Sequence, residues 1–240
     1  MCYNIIKEVV ICTKKIPNNK DLEIYSNNDF IDEELVEIPN DCGIIIEMKY
    51  PLLKMDNAIN KCLVRKSVLK KLLEAKKYLP KGITFKIWDA YRPLSLQEEI
   101  FKKYKENIIK IFSLENLNEK DQTSIISKYV SLPNNNVNIP PLHTTGGSID
   151  LTLAYEDTKK ELDIGVNFDE FSDLTATYIF ENKGMNKKIR KDRRILYNAM
   201  IKAGFTNLPS EIWHYDYGNR AWAFYKNKDA IYRGIMNIKK

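Results

Sequence analysis

Histidine is scarce in this sequence: 240 residues hold two, His143 and His214. Any chemistry that needs imidazole, for a metal or for proton transfer, has to use one or both of them. Cysteine is sparse as well, and Cys2, Cys12, Cys42 and Cys62 form no C-x-x-C pair. That spacing excludes the thiolate zinc patterns and offers no disulfide framework, so the four read as free thiols in a reducing compartment. No apolar run approaches the ~20 residues needed to cross a bilayer. The stretch Met1-Cys2-Tyr3-Asn4-Ile5-Ile6-Lys7-Glu8 lacks the basic region and sustained apolar segment of a secretory signal. These absences set the expectation of a cytoplasmic chain with no membrane partner.

Internal repeats, low-complexity tracts and Gly/Ser linkers are also missing, so residues 1–240 are expected to form one domain. The net charge of +6 comes from 38 basic and 32 acidic residues. Much of the lysine excess lies in mixed runs such as Lys102-Lys103-Tyr104-Lys105-Glu106, which read as solvated helix faces. No nucleic-acid-binding module accompanies the charge, so no nucleic-acid partner is expected. Nothing in the sequence speaks to oligomeric state.

What is present is periodicity that changes from segment to segment. Residues 1 to about 60 read as irregular with short strands, the clearest being Cys42–Met48. Val64, Val68, Leu69, Leu72 and Leu73 recur at helical spacing in a segment from Val64 to Tyr78, stopped by Pro80 and Gly82. Ile83–Ile87 alternates as a half-buried strand and runs into Trp88-Asp89-Ala90-Tyr91-Arg92-Pro93. Ser95 and Glu98 make a capping-box signal for a second helix that turns Leu96, Ile100, Phe101, Tyr104 and Ile108 inward. Ser113 to Pro141 is less regular. Ser148–Tyr155 alternates again and puts Asp150 on the polar face of a strand. A third helix carries Ile189 to Ala203 and stops at Gly204, and a last strand carries Glu211 to Tyr217. Strands mixed with helices in no regular alternation predict an α+β fold: a small antiparallel central sheet flanked by helices.

Three clusters carry chemistry. In His143-Thr144-Thr145-Gly146-Gly147-Ser148-Ile149-Asp150, the glycine pair allows a tight return that brings His143 and Asp150 together. A loop histidine followed by a turn and a surface aspartate is the plain alternative. Glu211-Ile212-Trp213-His214 adds a second imidazole with a carboxylate three residues earlier. Two imidazoles and a carboxylate are the minimum for a catalytic zinc site with an open position, and a non-ligand carboxylate is what takes a proton from the attacking water. Residues three apart in a regular strand face opposite sides, so Glu211 joins His214 only from a bulge or from the loop begun by Pro209-Ser210. The third cluster is Asp89-Ala90-Tyr91-Arg92-Pro93, where a fixed guanidinium suits a developing oxyanion, although a lone arginine of this kind is more often a surface ion pair.

These motifs, in this order, resemble the D-alanyl-D-alanine dipeptidase family of zinc peptidases, which includes the vancomycin-resistance dipeptidase. The resemblance runs from about Lys49 to Gly218 and includes Gly165-x-x-Phe168-Asp169. It implies one zinc ion per chain on His143, Asp150 and His214, with Glu211 as general base and then acid. Arg92 matches the residue that steadies the transition-state oxygen, Asp169 the one that holds the substrate ammonium, and Tyr50 one that closes that end of the pocket. The implied substrate is a small D,D-dipeptide, and the N-terminal portion is expected to pack over the site. Two positions depart from the family: Pro141 stands where serine is typical, and Thr145 where the resistance enzymes carry a basic residue. Related D,D-carboxypeptidases and endopeptidases of the cell wall share the ligand set. The Asp169 match favours the dipeptidase, because a peptidoglycan stem offers no free amine there. A zinc-binding module without activity is the remaining alternative.

Overall fold

Two long strands organise the chain, β4 (Ile83–Asp89) and β5 (Ser148–Tyr155), paired antiparallel. The computed structural model describes residues 14–17, 30–31, 33–127 and 129–238. Cys2, Cys12 and the Met1–Glu8 stretch lie outside them. Beside β4 runs the short β2 (Ile45–Ile46), parallel to it. Beside β5 lies β7 (His214–Asp216), then β6 (Thr206–Asn207), both antiparallel. The resulting sheet has the order β2-β4-β5-β7-β6. A separate antiparallel pair joins β1 (Leu35–Glu37) to β3 (Leu63–Arg65). The α+β expectation holds, with the β2–β4 pair as its one parallel ladder among the described strands.

The apolar side of the alternation makes the core. Phe85 and Ile87 of β4 and Ile149, Leu151 and Leu153 of β5 are fully buried. They share one cluster with Val68 and Leu72 of α2 (Lys66–Lys76) and Leu196, Ala199 and Met200 of α5 (Lys187–Ala203). Asn186 caps α5 by accepting from the amides of Lys188 and Ile189, and Gly204 ends it at φ +103°, a conformation glycine adopts freely. A second cluster lies around α1 (Lys49–Leu52), α3 (Leu94–Ile111) and α4 (Glu119–Ile126), with Tyr50, Leu96, Ile100, Ile108 and Ile126 at its centre. The last helix is α6 (Arg220–Lys226).

Several local expectations are corrected. β4 is buried on both faces rather than half-buried, because its polar face is covered as well: Lys86 pairs there with Glu47 at 2.7 Å and Glu161 at 3.2 Å. Val64 belongs to β3, where β1 offers a ladder partner, and the helix begins only at Lys66. The Ser95–Glu98 capping box is not made. Pro93 holds the N-cap position at φ −63° and Ser95 already lies inside the helix. The Cys42–Met48 strand shrinks to Ile45–Ile46 and the Glu211–Tyr217 strand to His214–Asp216. Helix α4 occupies the segment expected to be irregular, capped by Asn118, which accepts from the Asp121 amide. Among the described N-terminal residues, Lys14 and Ile16 meet Asn198 of α5 and Glu181, whereas Tyr50 reaches the polar face of the sheet.

Two buried arginines fasten loops to this frame. Arg65 donates to the carbonyls of Thr145, Glu33 and Arg233 and stacks on the Tyr232 ring. Arg193, fully buried on α5, donates to the carbonyls of Ile164, Ala176 and Leu174 at 2.7, 2.9 and 2.7 Å, so it closes the loop between them. Burial pushes its guanidinium down to about 10, still far above neutral pH. Replacing Arg193 with methionine strands those carbonyls in the interior. The expected cost is about 3 kcal/mol, from buried acceptors left without donors, read as a lower midpoint in urea unfolding.

Candidate metal centre

Cross-strand pairing gathers the site. Asp150 of β5 faces Asp89 of β4 on one side and His214 of β7 on the other. In antiparallel pairs such opposed residues project to the same face. Asp89 is there only because the β4–β5 register shifts between Ile87 and Asp89, a bulge that turns the carboxylate onto the polar face. Ser148 and Asp216 make the next cross-strand pair and share the face with Asp150 and His214. His143 arrives from a 3-10 turn, Leu142–Thr145, folded back by Gly146 at φ +71°. A side chain at Gly146 would run into Leu35, and one at Gly147 would come within 2.6 Å of the Tyr217 carbonyl. The glycine pair therefore does what its position in the sequence suggests.

The three expected ligands converge. His143 Nε2 lies 3.1 Å from His214 Nδ1 and 3.2 Å from Asp150 Oδ2, and His214 Nδ1 lies 3.0 Å from Asp150 Oδ1. Ligand bonds of about 2.1 Å in tetrahedral geometry place ligands about 3.4 Å apart, close to the 3.1 Å between the two ring nitrogens and to the approach of each ring to its own Asp150 oxygen. The far side of each ring explains which nitrogen faces inward. His143 Nδ1 is 2.8 Å from the Ala90 carbonyl, which can only accept, so the proton sits there and Nε2 turns its lone pair to the centre. His214 Nε2 is 3.0 Å from Asp216 Oδ1, which leaves Nδ1 for the centre. His143, Asp150 and His214 are all buried. Burial alone would raise the Asp150 carboxyl, yet the two rings hold it below the ordinary carboxylate range. Burial likewise opposes charge on His214, but Asp216 and Asp150 hold that ring well above the usual histidine value. Both shifts describe a pocket that attracts positive charge, and a divalent cation fits its donors.

Glu211 stands in the turn before β7, so the loop alternative holds and the strand objection falls away. Its carbonyl accepts from the His214 amide and from Asn207 Nδ2. The Glu211 carboxylate is 4.0 Å from His214 Nδ1, with a quarter of the side chain exposed. It borders the triangle without belonging to it. Burial, with Asp150 and Asp169 adding to it and His214 opposing, pushes the carboxyl up to about 7.

Arg92 and its neighbours form the other half of the site. Asp89 Oδ2 accepts from Arg92 Nε at 3.0 Å and Nη2 at 2.8 Å, and Gln97 Oε1 accepts from Nη1 at 2.7 Å. Nη2 also donates to the Tyr50 hydroxyl at 3.2 Å and lies 3.8 Å from Asp150 Oδ2. Tyr50 in turn donates to Asp169 Oδ2 at 2.8 Å. Arg92, Tyr50 and Asp169 are thus one hydrogen-bonded line beside the triangle. Phe168 packs edge-on against both Tyr50 and Trp88, and Trp88 against Trp213, which walls this end with rings. Burial lifts the Asp169 carboxyl to about 6, against Arg92 and the tyrosine hydroxyls, which hold it down.

Sequence reasoning named every member of the triangle and of that line but missed Asp216, Gln97 and Tyr104. Asp216 was findable, since it lies two residues beyond His214 on the same strand face. Gln97 and Tyr104 had no such signal, because both lie at positions a helical pattern reads as core or surface. Thr145 spends its hydroxyl on its own turn, donating to the Leu142 carbonyl and accepting from the Gly147 amide. Two surface concavities, one beside Tyr178 and Glu181 and one beside Lys76 and Glu156, are lined by neither histidine.

A family model described as D-ala-D-ala dipeptidase, Peptidase_M15, matches residues 49–232. A D-alanyl-D-alanine dipeptidase of Synechocystis is 28% identical over 155 residues, which is 59% of this chain and 62% of that protein's length. The chain thus spans somewhat under two thirds of that relative. The D-alanyl-D-alanine dipeptidases of Enterococcus faecalis and Escherichia coli are 29% and 25% identical, covering 65% and 71% of this chain and 74% and 77% of theirs. A solved vancomycin-resistance D,D-pentapeptidase, VanY, in complex with Zn(II), aligns at 12% identity and TM-score 0.41, covering 81% of this chain and 91% of that one.

Because Asp216 fixes the His214 ring from behind, Asp216→Ala is expected to weaken divalent-metal binding about 10–100-fold. Competition against a chromogenic chelator measures it, with the same competition on the wild type as reference.

Proposed function

This chain belongs to the D-Ala-D-Ala dipeptidase family, Peptidase_M15, and from that premise we propose that it is a zinc-dependent dipeptidase hydrolysing D-alanyl-D-alanine to two D-alanines. The observation that carries the reading is the buried triangle of His143, Asp150 and His214 with the Glu211 carboxylate beside it and outside it. In this reading the triangle holds one zinc ion per chain. When bound, zinc supplies Lewis-acid polarisation of the scissile carbonyl and a lowered pKa for water.

The chain's own residues do the rest. Glu211 takes the proton from the attacking water and passes it to the leaving amine. A carboxyl raised to about 7 is suited to doing both near neutral pH, and Glu211 would shift toward the ionised form that a base requires with positive charge beside it. Arg92, held in place through Asp89 and Gln97, faces the charge that develops on the carbonyl oxygen. Asp169 pairs with the free amino terminus, and Tyr50 closes that end. Reading the amine explains restriction to a dipeptide. An extended substrate puts a neutral amide where Asp169 needs a cation and leaves a buried carboxylate unpaired. The proposal takes the chain as one working unit. Its place of action is the cytoplasm, where thiols such as Cys42 and Cys62 stay reduced and a small dipeptide of peptidoglycan chemistry is encountered in solution.

Glu211→Ala is expected to keep its zinc and lose turnover by about 10²–10⁴-fold, the range for a general base. Metal analysis beside an amine-release assay reads both, and a variant with wild-type turnover overturns the mechanism. The wild type is expected to hydrolyse D-Ala-D-Ala but neither L-Ala-L-Ala nor the N-acetylated dipeptide, and to stop with chelator. Faster release from a pentapeptide stem than from D-Ala-D-Ala makes it a carboxypeptidase instead. Bound zinc without any hydrolysis makes it a binding module.

A further inference from the structure

Asp169 receives two phenols, not one. Tyr50 and Tyr104 each donate to its Oδ2, both at 2.8 Å. The two come from different elements, Tyr50 from α1 and Tyr104 from the middle of α3. Both hydroxyls are spent on the same oxygen, so Oδ1 is the acceptor left for a third donor. Asp169 itself sits at φ +52°, a left-handed backbone that a non-glycine residue adopts at a cost and that a fixed surrounding has to maintain. Arg193 closes its loop from below through the carbonyls of Ile164 and Leu174, and the two tyrosines hold its side chain from above.

Helix α3 adds the reason why Tyr104 matters more than a second hydroxyl. Gln97, seven residues earlier on the same helix, accepts from Arg92 Nη1 and is itself anchored by donating to the Ser131 carbonyl. Seven residues are close to two turns, so Gln97 and Tyr104 lie on one face, roughly 10 Å apart along the axis. One rigid element therefore grips both charged groups, Arg92 near the triangle and Asp169 at the far end. Phe171, from the loop of Asp169, packs edge-on against the Tyr104 ring at 5.3 Å and fixes its plane.

We propose that Tyr104 is a positioning residue for substrate recognition, pinning Asp169 by Oδ2 so that Oδ1 is presented to the α-ammonium of the dipeptide at a distance from Arg92 set by helix α3. The inference rests on the reading of Asp169 as the ammonium site. The charged and titratable groups facing Asp169 are Tyr50 of α1, Arg92 after β4, Tyr104 of α3, Asp150 of β5 and Glu211 before β7. Of these, Arg92, Tyr50 and Tyr104 favour its ionised form, and Asp150 opposes it. Loss of the Tyr104 hydroxyl moves the Asp169 carboxyl upward from about 6.

The test compares zinc-loaded wild type, Tyr104→Phe and Asp169→Asn on D-Ala-D-Ala and on the same dipeptide with hydrogen in place of the ammonium. Tyr104→Phe is expected to raise KM for D-Ala-D-Ala about tenfold with kcat within about twofold. It is also expected to shift the acid limb of kcat/KM to higher pH and to leave the deaminated analogue unaffected. Asp169→Asn is expected to lose the preference for the free amine altogether. Should Asp169→Asn keep that preference, the ammonium site is misassigned and the role of Tyr104 falls with it. Should Asp169→Asn lose it while Tyr104→Phe retains the wild-type KM and acid limb, the inference about Tyr104 alone is overturned. If Tyr104→Phe melts early, 4-aminophenylalanine at position 104 keeps a donor in the same place. Restoration of KM there supports the positioning role, and a KM still raised in a protein of wild-type melting temperature overturns it.

Discussion

Two imidazole nitrogens and the two oxygens of one carboxylate crowd a buried space, the nitrogens 3.1 Å apart and each 3.0–3.2 Å from a different Asp150 oxygen. Such crowding is unfavourable unless positive charge lies among them, and much of the surrounding architecture serves to hold it in place. The Ala90 carbonyl and the Asp216 carboxylate take the outward protons of the two rings. Ser148 and Asn219 donate to Asp216 at 2.7 and 2.6 Å and keep that carboxylate oriented. Asn219 accepts from the amides of Ala221 and Trp222, so the same residue caps helix α6. The stability of a helix end and the orientation of a metal-competent ring are thereby coupled through one side chain.

The polar face of the sheet is where the fold departs from a simple layered plan. A strand with one face in the core and the other in water alternates cleanly. Here the second face is buried too, and it carries Asp89, Asp150, His214 and Asp216. Buried charge is tolerated only when paired, and the pairing is complete enough to follow residue by residue: Asp89 with Arg92, Asp150 with the two rings, Asp216 with His214 and two neutral donors. Arg92 then passes its orientation through Tyr50 to Asp169. Charge on this face is a connected arrangement, and each member constrains the next.

Much of this was legible in the residues. The alternation in Ser148–Tyr155 placed Asp150 on a rigid strand, the glycine pair announced the return of His143, and the long helix ending at Gly204 is where its pattern put it. Less legible were features in which tertiary context overrides local preference. Val64 fits a helical repeat yet pairs with β1, because a ladder partner is available. Ser95 and Glu98 match a capping box, yet the helix starts two residues too early for it, after Pro93. The bulge that turns Asp89 onto the face of Asp150 has no marker in composition, since a register shift depends on what the neighbouring strand presents.

By itself, the sequence determined which atoms were available: two imidazoles, carboxylates at positions 150, 169 and 211, and a guanidinium at 92, each on a segment whose periodicity or turn residues announced its type. Those are local properties, carried by spacing and side-chain chemistry within a few residues. Only the tertiary structure decided that Glu211 lies beside the triangle rather than across the strand from it, that His214 turns Nδ1 inward, and that Tyr104 shares Asp169 with Tyr50. Glu211 is placed by a turn, the inward His214 nitrogen meets Asp150 from 64 residues away, and the tyrosines reach Asp169 across 65 and 119 residues. No local pattern encodes such distances, because they follow from how whole elements pack.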